Sequence, residues 1–336
     1  MVSMRSASLR RRSAVALSFA ASLLFAACGS DDSTTEGTEA LDATTAQDSV
    51  VPDPSTTDTE VESEAAESAT EYLGTYTLTD EEFGTMTSVT VDGDTRTINS
   101  NAIPDHETGE FPNDGNPNAI SEQDASYVYP TEGVYVGSAT GAMTPGVAVN
   151  GVKFEPGTAE TVTCVSGETL RVEALQDIYD LGLDFNNAHV QPTGEFHYHG
   201  LSELLVAAYA TDDDLVHVGF AADGFLIYSS KSGAYSSGYS LSTDARSGTD
   251  CRGSGALQNV AVEIDGSAPD GTYGSDWVFS DNTGDLDECN GVEIDGEYAY
   301  IITNEYPYVS RCLNGEFTAT GSAGAQVPGA TSVAEG

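Results

Sequence analysis

The stretch "HVQPTGEFHYH", residues 189–199, holds three of the chain's five histidines: His189, His197 and His199. Imidazoles ligate transition metals through a neutral ring nitrogen and exchange protons near neutral pH, so their spacing decides what they can do together. Pro192 suits the second position of a type I turn and Gly194 the left-handed position after it, the pattern of a three-residue hairpin loop. A loop centred on Thr193 pairs Gln191 with Glu195, Val190 with Phe196 and His189 with His197. Side chains alternate along a strand, so Glu195, His197 and His199 share one face while Phe196 and Tyr198 turn to the other. Opposed residues bring their Cβ atoms to about 4.5–5.5 Å, which sets His189 against His197. His197 and His199 stand roughly 6.6–6.8 Å apart along the strand. Two or three imidazoles can then converge on one ion at bonds of about 2.0–2.1 Å, with Glu195 near enough to be a ligand or general base. A slip of one residue would send His189 to the opposite face and dissolve the arrangement.

The elements that must carry this hairpin read as strands. "TSVTVDGDTRTI" alternates β-formers around Asp92-Gly93, a hairpin signal. "ASYVYPTEGVYVGS", "GVAVNGVKF", "LVHVGFAADGFLIYSS", "NVAVEIDG" and "EYAYIITNEYPYV" repeat the pattern between Gly, Pro, Asn and Asp. Helical candidates are short: "TLRVEALQDIYDLG" at 169–182, and "LSELLVAAYA" at 201–210 with Ser202 as its N-cap. No repeat of 20–50 residues is present, which excludes a solenoid or propeller. The expected fold is mainly β, a sandwich or distorted barrel with a few short α-helices.

The ends of the chain speak to location. Arg5, Arg10, Arg11 and Arg12 precede an apolar run that ends at Ala26-Ala27-Cys28, the form of a secretory signal with a lipobox. Residues 1–27 are expected to be removed and Cys28 lipidated, anchoring the protein to a bacterial membrane on its extracytoplasmic side. Residues 28–71 are acidic, and from Ser30 to Thr70 they carry no aromatic or basic residue, the composition of a disordered tether. Residues 318–336 form a low-complexity tail. Between them, 72–317 hold every tyrosine, the tryptophan and all five histidines, as one β-rich domain. All 54 acidic residues follow Cys28 and four of the 11 basic ones precede it, leaving 7 against 54, a net −47. That balance excludes nucleic-acid binding, which needs basic patches. Without Cys28 an even set remains: Cys164, Cys251, Cys289 and Cys312. Two disulfides are expected in an exported protein, and of three connectivities Cys164–Cys251 with Cys289–Cys312 is favoured. A cysteine zinc site lacks any C-x-x-C spacing. "DNTGDLDECNG" crowds Asp281, Asp285 and Asp287 into a weak calcium-loop pattern without EF-hand spacing. No phosphate-binding glycine loop, G-x-S-x-G elbow or HExxH motif occurs.

"NAIPDHETGEFPNDGNPN", "VNGVKFEP", "LGLDFNNAHVQPTGEFHYHG", "VGFAADGFLIY", "LDECNG" and "YAYIITNEYPYVSRCLNG" together resemble the YHYH domain family of exported and surface bacterial proteins. The resemblance covers most of 72–317. It departs at one point, Phe196 standing where the signature has its first tyrosine. The resemblance, and not spacing, adds His106 as a fourth metal ligand and draws in Asp184, Asn187 and Asp223. Asp223 could equally begin the turn before Gly224, and His217 reads as a half-exposed strand residue rather than a ligand. The family names a domain without naming a reaction. The leading expectation is a lipid-anchored domain whose His106, His189, His197 and His199 bind Zn²⁺ or Cu²⁺. A metal-dependent hydrolase with Glu195 or Asp223 as base is the first alternative, and a non-catalytic surface or adhesion module the second.

Overall fold

Thr85–Asp92 and Thr95–Ser100 turn about Gly93 and Asp94 into the expected hairpin, Asp92 facing Thr95 and Gly93 at φ +57°. Tyr76–Asp80 and Ala125–Pro130 flank it to complete a four-stranded antiparallel meander. Its inward side chains alternate as the pleat demands: Thr85, Thr87 and Val89 on one strand, Arg96, Ile98 and Ser100 on the next. The computed structural model describes residues 72–316 apart from Asn259, so the signal segment 1–27, Cys28 with the tether 28–71, and the tail 318–336 lie outside the described residues.

The inward face of the meander covers an eight-stranded mixed sheet. Across that sheet the strands run Ala188–Val190, Phe196–Tyr198, Lys153–Phe154, Gly146–Ala148, Leu215–Ala221, Leu226–Ser230, Glu297–Ile302 and Gly291–Ile294. Neighbours are antiparallel except at Phe196–Tyr198 beside Lys153–Phe154 and at Leu226–Ser230 beside Glu297–Ile302. The main core lies between the layers, where Val89 and Ile98 meet Val147, Phe154, Tyr198, Phe220 and Tyr300. Tyr76 Oη donates to the Val149 carbonyl at 2.8 Å and the Arg96 guanidinium lies 4.0 Å over the Phe220 ring, fastening one sheet to the other. The fold is therefore mainly β with layered sheets, and these do not close into a barrel.

A smaller sheet, in the order Ala261–Val262, Cys251–Gly253, Thr161–Thr163, Thr169–Arg171, carries a second apolar cluster of Val162, Leu170, Val172, Leu181, Ile264 and Tyr273. Both favoured disulfides are present. Cys164–Cys251 joins the strand ends of this small sheet across 87 residues of sequence, and Cys289–Cys312 spans 23 residues beside the main core. Cross-links over loops of these sizes are each worth on the order of 3–5 kcal/mol through the unfolded chain.

One helical expectation holds and one does not. Glu203–Ala208 is a single α-helix, and the Ser202 hydroxyl accepts from Leu205 N as its N-cap. The segment 169–182 is no helix: Thr169–Arg171 is a strand, Val172 bridges to Tyr273, and the rest is bends. Side chains take the backbone donors that a helix would use. Gln176 Oε1 accepts from Ile178 N and Tyr179 N, and Asp180 Oδ1 from Gly182 N. The irregular segment delivers the Leu181 carbonyl to His189. No helix among the described residues is long and apolar enough to cross a membrane.

Candidate metal centre

The histidine hairpin has the register that its loop dictates: Ala188 faces Tyr198, His189 faces His197 and Val190 faces Phe196. Gln191 N donates to the Glu195 carbonyl at 2.9 Å and Gly194 N to the Gln191 carbonyl at 2.8 Å, closing the three-residue loop. Gly194 sits at φ +88°, and a Cβ there would strike the Ser121 side chain, so both backbone and space require glycine. Phe196 and Tyr198 are fully buried on the core side, Phe196 edge-on to Phe111 at 6.2 Å between centroids. Burial of two such rings contributes roughly 4–6 kcal/mol each before entropy is subtracted, and it pins the strand whose other face bears the histidines. At the base of the hairpin the Asp184 carboxylate accepts from Gly109 N at 2.8 Å and Asn186 N at 2.9 Å. Asn187, at φ +53°, holds the Leu201 carbonyl at 2.7 Å and accepts from His199 N at its own carbonyl. Asp184 and Asn187 therefore position the hairpin from behind it.

Three imidazoles form a nearly equilateral triangle, with centroids 4.8 Å apart for His189–His197, 4.6 Å for His189–His199 and 4.7 Å for His197–His199. One ring nitrogen of each lies within 4.8 Å of the other two, and the three can hold a metal ion. His197 and His199 are buried at 1% and 2% exposure, whereas His189 is half-buried. Hydrogen bonds assign the tautomers. His189 Nδ1 donates to the Leu181 carbonyl at 2.9 Å and His197 Nδ1 to the Glu195 carbonyl at 3.3 Å, which leaves Nε2 of each as a lone pair. His199 Nε2 stands 3.0 Å from His189 Nε2 and must donate to it, so Nδ1 of His199 is the bare nitrogen. That Nδ1 is buried without a hydrogen-bond partner in the present geometry, and the backbone of Glu155 is the group that favours its protonation.

Burial is the largest cause of lowered proton affinity in all three rings, His189 falling below the ordinary histidine value and His197 and His199 well below it. Neighbouring charge adds to the effect, first from the other imidazoles of the triangle and then from Lys153 at His197 and Arg311 at His199. All three are thus neutral at neutral pH, the form in which imidazole ligates.

Other residues singled out from the sequence are placed elsewhere. His106 is not brought to the triangle. Its Nδ1 donates to the Glu107 carbonyl at 2.9 Å and its Nε2 meets Tyr198 Oη at 2.7 Å, on the core face of the histidine strand. Asn150 Nδ2 donates to the same hydroxyl at 3.0 Å and to Asp105 Oδ1 at 2.8 Å, so His106 braces the strand from its far side. Asp223 is fully buried in the core, where Oδ2 accepts from Tyr300 Oη at 2.6 Å and Gly315 N at 2.9 Å. Glu195 is on the predicted face, but its carboxylate is in an ion pair with Lys153 at 3.0 Å. The calcium-loop residues are not assembled either. Asp287 accepts from Cys289 N and Gly291 N at one oxygen and from Tyr298 Oη and Asn314 Nδ2 at the other, while Asp285 is turned to Ser236. His217 donates Nε2–H to the Gly219 carbonyl at 2.9 Å against Phe220 and Tyr228, a structural strand histidine.

Sequence reasoning passed over Lys153, Glu155, Arg311 and the Leu181 carbonyl. Lys153 carried a usable signal, being one of two lysines in the chain and lodged in a buried strand. Leu181 had none, because its place follows from the irregular segment before the hairpin.

A layered β domain, stapled by two disulfides and bearing a buried histidine triangle on a sheet edge, is the class that fold and site define. The YHYH protein family model matches residues 126–315, more than half of the chain, and the chain belongs to that family. Searches among curated proteins and among solved structures returned no significant match. Most of the meander, including Arg96 and Ile98, precedes the matched span. Phe196 replaces the first tyrosine of the signature at a wholly apolar, buried position, where a phenyl ring fits the packing.

Proposed function

We propose that this protein is an exported, lipid-anchored domain that holds one transition-metal ion on His189, His197 and His199. The signal-like segment and Cys28 support the anchoring, and the histidine triangle supports the ion. One observation carries the reading: the buried, bare Nδ1 of His199 beside a 3.0 Å contact between two Nε2 atoms. A metal at Nε2 would move the His199 proton to Nδ1, toward the Glu155 backbone, and relieve both features at once. Nitrogens that share an ion at bonds of about 2.0–2.1 Å stand roughly 3.3 Å apart in a tetrahedral arrangement; His189 and His199 already stand at 3.0 Å, and the three ring nitrogens lie within 4.8 Å of one another. Three neutral imidazoles suit Zn²⁺ and Cu²⁺.

Three protein ligands leave a coordination position free, which is the feature in favour of a hydrolase. Against it, Glu195 is engaged by Lys153 and Asp223 by Tyr300, so neither named base is at hand. Binding is the reading that the geometry supports best. The full chain, stripped with chelator and redialysed against Zn²⁺, should carry one equivalent by elemental analysis. His197→Gln with His199→Gln should carry none while keeping its far-ultraviolet circular dichroism. Full metal content in that double variant would overturn the proposal.

A further inference from the structure

Beside the triangle, on the same face of the sheet, runs a second polar row. Gln191 lies across the hairpin from Glu195, one step nearer the turn than the His189–His197 pair. The neighbouring strand is parallel and sets Phe154 opposite Tyr198, so Lys153 and Glu155 emerge with His197 and His199. Lys153 Nζ meets Glu155 Oε2 at 2.9 Å, Glu195 Oε2 at 3.0 Å and Gln191 Oε1 at 3.1 Å. An ammonium has three protons to give, and all three are placed. Gln191 Nε2 closes the ring on Glu155 Oε2 at 2.7 Å. The three ionic side chains are only 11–16% exposed, so these are sheltered pairs and not loose surface contacts.

Two carboxylates share the sheet face of three neutral imidazoles, where oxygen ligands for an ion could come from. Glu195 precedes His197 by two positions on one face, and Glu155 lies against His199 through its backbone. Carboxylate donors draw Mn²⁺, Mg²⁺ and Ca²⁺, whereas a purely imidazole set favours the later transition ions. The chain has 54 acidic residues and two lysines, and one of those lysines is buried here between two acids on the face of the triangle.

We infer that Lys153 sets the metal preference of the site: by holding Glu155 and Glu195 it confines the donors to three imidazole nitrogens and selects Zn²⁺, Cu²⁺ or Co²⁺ over oxygen-seeking ions. The inference rests on the metal reading of the triangle. Lys153 does not touch the ion; it acts through the carboxylates that it withholds. Its removal frees two mutually repelling acids beside a cation site, and the cation is the natural partner for them.

The test titrates the full chain and its Lys153→Met variant with Co²⁺, followed by visible absorption, and with Mn²⁺, followed by paramagnetic resonance. The wild-type chain should give the intense spectrum of a low-coordinate nitrogen site and take up Mn²⁺ poorly. The variant should bind Mn²⁺ roughly 10–100-fold more tightly, the usual size of an outer-sphere effect, and its Co²⁺ spectrum should weaken as oxygen ligands enter. Adding Glu155→Gln and Glu195→Gln to Lys153→Met should restore the wild-type preference, which loss of a mere structural staple would not do. Lys153→Gln, which keeps a hydrogen-bonding side chain in the row, reads the same effect if the methionine variant does not fold. An unchanged Co²⁺ spectrum and unchanged Mn²⁺ affinity in the Lys153 variants would overturn the inference. A wild-type chain that binds no Co²⁺ would instead overturn the metal reading beneath it.

Discussion

The ion-free chain should gain roughly 4 kcal/mol against unfolding when Zn²⁺ is present at about a thousand times its dissociation constant, a rise of about 10 °C in Tm for a domain of this size. Only the folded chain brings His189, His197 and His199 together, so the ion binds one side of the equilibrium. His197→Gln with His199→Gln should unfold at the same temperature with and without Zn²⁺, by calorimetry. The pH dependence follows from the buried rings. The unfolded chain takes up protons near pH 6.5, the ordinary histidine value. The folded chain holds these sites neutral well below that, because burial opposes the charged form. Below about pH 6.5 the unfolded state therefore binds more protons, and ion-free stability falls as pH falls. His217, pushed down to about 4 by burial, adds to the same slope. Zn²⁺ affinity of the folded chain should fall less steeply below pH 6.5 than that of a site of exposed histidines, because burial holds the rings in the neutral, ligating form. A loss that tracks an ordinary histidine titration would contradict the buried triangle.

The second large effect concerns the buried pair of Arg311 and Glu173. Their side chains meet within hydrogen-bonding distance, 10% and 3% exposed, and the guanidinium also donates to the Pro156 carbonyl and lies 4.6 Å over Tyr306. Tyr306 in turn stacks on Trp277 at 4.5 Å. Arg311→Met should cost about 3–5 kcal/mol at pH 8, because it leaves a carboxylate buried without its partner. The loss should shrink in acid. Burial already raises the Glu173 pKa above the usual carboxylate range, and removal of the cation raises it further. A group with a raised folded pKa favours the folded state as it takes up its proton, so the variant should recover stability relative to wild type as pH falls. Adding Glu173→Gln should restore a large part of the loss at pH 8. Chemical denaturation at pH 8 and 5 checks this, and equal losses at both values would contradict it. The pair also feeds the site, since the Arg311 charge lowers the proton affinity of His199.

What was legible in the sequence was local. Pro192 and Gly194 fix a loop of three residues, and period-two alternation then places His189, His197 and His199 on one face without any tertiary information. Ser202 capped its helix for the same reason, a contact across three residues. What failed to show was long-range. His106 reaches Tyr198 from 92 residues away and Asp223 reaches Tyr300 from 77, so membership of a motif could not say that both serve the packing and not the ion. Glu195 was placed on the correct face, yet its partner Lys153 lies on a parallel neighbour strand that no hairpin rule predicts. The segment 169–182 misled because its apolar spacing suits a helix, while Gln176 and Asp180 capture the backbone donors and Val172 joins Tyr273.

The site itself is tested most directly by anomalous diffraction at the zinc edge on crystals of the Zn²⁺-loaded full chain. One strong peak should lie at about 2.0–2.1 Å from Nε2 of His189, His197 and His199, with the Glu155 and Glu195 carboxylates still turned to Lys153. A peak at another place in the molecule, or none at the triangle under saturating Zn²⁺, would contradict it.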